Sequence, residues 1–146
     1  MKRLLITSLL ALTSSLANAV PNVWTDILRQ GGYNVVIESA SNEKLDVGCY
    51  IDSEQPKWHN IEVTYKGKAI TNSEKKQPLS FFINDSESFK PIPTSKVYVD
   101  VAHWNSFVDS LVTAKKIEVY NNNKLIFTVM PRNGKTIKDI EGCYIL

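Results

Sequence analysis

Apolar and polar positions alternate with a period of two through most of this chain, the pattern of half-buried β-strands. Tyr33, Val35 and Ile37 alternate with Asn34 and Glu38, and Leu45, Val47, Cys49 and Ile51 alternate with Asp46, Gly48 and Tyr50. Ser41-Asn42-Glu43 separates the two runs, so residues 33–51 read as a hairpin with Cys49 on its apolar face. Ile61, Val63 and Tyr65 form a further strand, turned by Lys66-Gly67-Lys68 into Ala69-Ile70. Leu79, Phe81 and Ile83 make another, with Ser80 and Phe82 on its opposite face. Val97, Val99 and Val101 alternate with Tyr98 and Asp100. Ile117 and Val119, then Leu125, Phe127 and Val129, flank Asn121-Asn122-Asn123. Asparagine tolerates positive φ, so that triplet marks a hairpin turn.

Two segments follow a helical period instead. Trp104, Phe107, Val108, Leu111 and Val112 fall on one stripe, which predicts an amphipathic helix over 104–114. Lys115 and Lys116 follow it, where cations suit the negative end of the helix dipole. Val23, Trp24, Ile27 and Leu28, with Pro21-Asn22 before and Gly31-Gly32 after, predict a short N-terminal helix. That helix either packs on the sheet or forms an arm. Residues 52–57, 71–77 and 84–88 are polar and read as loops. Pro91 and Pro93 keep their segment out of a central ladder. Residues 136–141 have the pattern of one helical turn. The elements add up to a mainly β fold of about seven or eight strands. An antiparallel β-sandwich or open barrel, with the 104–114 helix packed on it, fits this order.

The first 19 residues stand apart from that pattern. Lys2 and Arg3 precede an apolar run over 4–16, and Ala17-Asn18-Ala19 has the small-x-small form of a signal-peptidase site. The run is too short to span a bilayer as a helix. Residues 1–19 therefore read as a cleaved signal peptide and 20–146 as one β-rich domain, placed in the periplasm or outside a Gram-negative cell. The charge changes meaning with this reading. The chain has 17 basic and 15 acidic residues; Lys2 and Arg3 leave with the leader and no acid does, so 15 of each remain. A neutral, mixed-sign domain has no electrostatic reason to bind nucleic acid or anionic lipid. No second apolar stretch in the sequence is long enough for a transmembrane segment.

Cys49 and Cys143 are the only cysteines. In an oxidising compartment such a pair closes, tying an early strand to the last residues of the domain. A chain-entropy argument gives so long a loop roughly 4–5 kcal/mol. A redox role would need a closely spaced pair such as C-x-x-C, which is absent.

Little else points to chemistry. His59 and His103 each adjoin a tryptophan, Trp58 and Trp104, but their spacing carries no metal-site signature, with or without Asp100. There is no G-x-S-x-G elbow and no glycine-rich phosphate loop. Asp52 with Glu54, and Asp85 with Glu87, read as solvated loop pairs. No catalytic residue, metal site or cofactor is expected. Asn84-Asp85-Ser86 matches a glycosylation sequon only by chance in a bacterial-looking sequence. Tyr50, Phe82, Tyr98 and Tyr120 lie opposite the aliphatic stripes. They form a candidate binding surface unless the helices cover them. Trp58, His59 and the 71–77 loop are further candidate contact points.

The C-terminal third follows an order of strand (97–101), helix (104–114), Lys115-Lys116-Ile117-Glu118-Val119 into a hairpin, then Thr136-Ile137-Lys138-Asp139-Ile140-Glu141-Gly142-Cys143. In this pattern it resembles the invasion-associated locus B family of exported bacterial proteins. The resemblance implies a small periplasmic β-sandwich-like domain with a cell-envelope role and no enzymology. Together these readings favour a non-enzymatic exported module that binds another envelope or secreted protein, as an inhibitor, immunity protein or envelope accessory. A surface or host-interaction structural protein is the first alternative. A small hydrolase with an unrecognised site is the second, and would need a cleft holding His59 or His103 with a carboxylate.

Overall fold

The computed structural model describes residues 20–29, 32–50, 59–73, 75–92, 101–134, 137, 139 and 143. Among the described residues, nine strands form two antiparallel sheets. The first is a meander of β1 (Thr25–Arg29), β2 (Gly32–Glu38), β3 (Lys44–Tyr50), β4 (Asn60–Tyr65) and β5 (Lys68–Thr71), paired in chain order. The second contains β6 (Leu79–Ile83), β7 (Glu87–Phe89), β8 (Ile117–Asn121) and β9 (Lys124–Val129), in the order β7-β6-β8-β9. The helix α1 (Val101–Thr113) lies between β7 and β8 in the chain. The described strands make a β-sandwich of two open sheets, not a barrel.

The period-two pattern explains the packing. Val35, Val47 and Ile61 stand opposite one another across β2, β3 and β4, and Ile37, Leu45, Val63 and Ile70 form the next row. All but the half-buried Ile70 are withdrawn from water. Leu79, Phe81 and Ile83 of β6, Ile117 and Val119 of β8, and Phe127 and Val129 of β9 complete the same hydrophobic cluster from the second sheet. Burial on this scale, at about 25 cal/mol per Å² of apolar surface, is the main stabilising term.

Left-handed turn residues set the hairpins. Asn122 and Asn123 have φ of 49° and 64° between the paired residues Asn121 and Lys124. Lys66 and Gly67, at 50° and 73°, join the Tyr65–Lys68 pair. In the β2–β3 turn the buried Ser39 hydroxyl accepts the Ser41 and Glu43 amides, both at 3.1 Å, and donates to the Glu43 carboxylate.

The helix buries Trp104, Phe107, Val108 and Leu111, four of the five residues of the stripe seen in the sequence, and half-buries the fifth, Val112. Phe107 meets Phe81 and Phe89 with ring centroids 5.4 and 5.6 Å apart. Trp104 stacks edge-on with His59, just before β4, at 4.9 Å. Its indole N–H donates to the Cys143 carbonyl at 2.9 Å. Cys143 is disulfide-bonded to Cys49 on the inner face of β3, with Cα atoms 4.6 Å apart. Cys143 is thus held between α1 and the first sheet. Gly134 belongs to the same packing: a Cβ there would collide with the Val112 carbonyl of the helix.

Three expectations need correction, the first being that 84–88 is all loop: Glu87 and Ser88 pair with β6 as part of β7. The short N-terminal helix is instead strand β1, paired from Thr25↔Val36 to Arg29↔Gly32. The ladder along β2 outweighs a helical spacing in which Trp24 alone is buried. Val101 opens α1 rather than ending a strand; the rest of that expected strand, 97–100, falls outside the described residues.

Candidate functional site

The expected contact residues scatter. Phe82 and Tyr120 do come together, on the outer face of the second sheet. They project from neighbouring strands β6 and β8, diagonally across the ladder and two register positions apart, and their rings meet at 5.2 Å with planes inclined by 59°. Phe82 is 38% exposed. Leu125 stands opposite Tyr120 on β9 and is 46% exposed; Met130, just past β9, is 52% exposed. The alternation in the sequence puts Leu125 on the aliphatic stripe with Phe127 and Val129, but that alternation breaks at the bulge between Val119 and Tyr120. That bulge shifts the register so that Leu125 shares the aromatic face.

A charged cluster borders this face. Lys116 lies 3.1 Å from the Glu118 carboxylate and closer still to that of Asp85. Hydrogen bonding to Asp85, then to Glu118, raises the Lys116 pKa above its ordinary value, against a smaller desolvation effect. Glu118 faces Phe82 across the ladder, and Tyr120 donates to it at 3.4 Å. The face is therefore apolar at its centre and polar at one side, the usual anatomy of a protein-contact patch.

The other candidates lie elsewhere. His59 is fully buried against Trp104, so it belongs to the core and not to a contact surface. Tyr50 ends β3 in the other sheet. Trp58 and Tyr98 fall outside the described residues, as does Asp100. His103 packs against Phe89 at 5.9 Å. Glu87 accepts from the Ser110 hydroxyl, while Asp85 is paired with Lys116, so these two carboxylates do not act as a couple. The Asn84 side-chain oxygen accepts the Lys115 and Lys116 amides at 2.8 and 3.3 Å, which ties the β6–β7 turn to the start of β8.

A pocket of about 460 Å³ lies between that turn and the polar side of α1, lined by Asn84, Ser86, Glu87, Asp109, Ser110, Val112 and Thr113. Neither histidine lines it. Among the described residues, no group of three or more His, Cys, Asp or Glu side chains could hold a metal ion. Among them, too, no helix is long and apolar enough to cross a membrane.

Comparison with curated proteins and with solved structures finds no match. A family model does match: it is the model of YfjT, and it covers residues 22–137, which is most of the chain and every element described above. With its two sheets, its helix and one cysteine of its disulfide inside that match, this chain belongs to the YfjT family.

Proposed function

We propose that this chain is an exported, non-enzymatic module that binds another envelope or secreted protein through the outer face of its second sheet. The observation that carries the reading is the contact of the exposed Phe82 with the half-buried Tyr120, extended by the exposed Leu125 and bordered by the Lys116–Glu118 ion pair. Aromatic side chains on a rigid sheet, apolar at the centre and polar at the side, are what protein interfaces select. Export is supported by the basic start, apolar run and small-x-small triplet of residues 1–19. The buried Cys49–Cys143 disulfide fits an oxidising compartment. The family match begins at residue 22, just past that triplet.

The test is capture of a partner from envelope extract by the immobilised protein, followed by affinity measurement with the captured protein. Phe82→Ser with Tyr120→Ser should cost about 2 kcal/mol or more, roughly thirtyfold in affinity, while thermal unfolding stays cooperative. Undiminished binding by a folded double variant would exclude this face. Sequencing of protein recovered from the envelope should begin at Val20. Turnover of a cell-wall, ester or peptide substrate that vanished with His103→Ala would replace the binding reading by a hydrolytic one.

A further inference from the structure

The N-terminal segment, residues 20–29, is attached to the fold in an unusual way. Strand β1 pairs along its whole length with β2, yet its described side chains, Thr25 to Leu28, are all exposed. Ile27 is 41% and Leu28 72% exposed, on opposite faces of the strand. The segment has one buried anchor, Trp24, whose indole N–H has no hydrogen-bond partner among the described residues. An unsatisfied buried donor is costly, so the anchor is weaker than its size implies.

The remaining ties are polar and specific. The Trp24 amide donates to the Asn133 side-chain oxygen at 2.7 Å, and the Asn133 amide group donates to the Trp24 carbonyl at 3.0 Å. Asn22 donates its backbone N–H to the Glu38 carbonyl at 2.8 Å and accepts at its own carbonyl from the Arg132 amide at 3.0 Å. Its side-chain oxygen accepts the Met130 amide at 2.9 Å. One segment thus bridges the end of β2 in the first sheet and the end of β9 in the second, held by a ladder, one tryptophan and a few side-chain amides.

We infer that residues 20–29 form an exchangeable arm, which leaves the β2 edge as a unit and docks in the same place on a second copy of this chain. Apart from Trp24, opening strips little apolar surface, because β1 buries no described side chain, so the strand itself belongs at the low-stability end of the molecule and the tryptophan is the main contact that exchange must break and remake. Its departure uncovers the edge of β2, a row of unpaired backbone groups that another strand must fill. The slot is specific. It requires a strand in register from Val36 to Gly32, preceded by a tryptophan whose backbone fits Asn133 and an asparagine whose groups meet Glu38, Met130 and Arg132. The arm of an identical chain meets every one of these conditions. Exchange then forms a dimer from contacts the monomer already has, the low-cost route of domain swapping. This surface is separate from the aromatic face of the second sheet.

Equal amounts of ordinary and isotope-labelled protein, mixed at high concentration, should yield mixed-mass dimers by native mass spectrometry. Backbone amides of β1 should exchange with deuterium at least about tenfold faster than those of β3. Ile27 and Asn34 are directly opposed on β1 and β2. In the variant Ile27→Cys/Asn34→Cys, a disulfide closed at dilution fastens the arm to its own chain, and this form should stay monomeric where the wild type dimerises. The variant Ile27→Ser/Asn34→Ser should still dimerise. Protein that is monomeric at every concentration overturns the inference. So does a fastened variant that dimerises like the wild type, or a β1 protected as well as β3.

Discussion

Asn72 shows how much a single buried polar side chain can organise. It lies after β5, in a stretch that reads as plain loop (TNSEKKQ), yet it is withdrawn from water. Its side-chain amide donates to the carbonyls of Leu79 and Pro91 at 3.1 and 2.8 Å, and its oxygen accepts the Leu79 amide at 2.8 Å. It thereby fixes the crossing from the first sheet to the second. Asn72→Ala leaves these buried backbone groups without partners, and we expect a loss of about 2–4 kcal/mol in urea unfolding. A loss below about 0.5 kcal/mol, the usual scale of surface substitutions, would show that water replaces the side chain. Asn72 was invisible in the sequence because composition around it is hydrophilic; only the tertiary fold decides which asparagine is enclosed. Ser39 is a parallel case. The aliphatic rows, by contrast, were legible residue by residue, since alternation alone dictates which of Leu45 and Asp46 faces inward.

Among the elements, α1 was readable because five apolar residues repeat at helical spacing, and it extends three residues earlier than that stripe. Strand β1 was misread because it is an edge strand with one buried neighbour, so neither period two nor period 3.6 is imposed on it. The turn between β6 and β7 depends on Asn84 and on the pairing of Asp85 with Lys116, and links elements distant in sequence. The Lys116 pKa is raised in the folded protein, so its stabilisation is full below the ordinary lysine pKa and is lost as pH climbs through the folded value. Unfolding free energy at low salt should therefore fall more steeply on the alkaline side in the wild type than in Lys116→Gln. Superimposable alkaline limbs would mean that the ion pairs are uncoupled from folding. Added salt should shrink the difference, because Lys116 and Asp85 are both partly exposed.

Across the whole molecule, the disulfide closes a sequence separation of 94 residues. Reduction should lower stability by about 2–5 kcal/mol in the wild type and leave Cys49→Ser/Cys143→Ser unmoved. Equal responses from the two proteins would deny the bond its role. The pairing could be anticipated, since the sequence holds two cysteines and each has one possible partner. The candidate face was half anticipated. Phe82 and Tyr120 were recognisable as off-stripe aromatics, but their adjacency depends on β6 pairing with β8 across an intervening helix, and long-range strand order is not written in local periodicity. His59, equally conspicuous beside a tryptophan, proved to be interior. Its neighbour in the core, the Trp104 indole, sits against the backbone of Cys143, while Trp24 marks the opposite end of the chain. Disulfides quench tryptophan emission and burial shifts its colour. The molecule consequently carries an optical probe at each of its two fastenings, so that, with the third tryptophan Trp58 replaced by phenylalanine, loosening of either one can be followed by its light without attaching a dye.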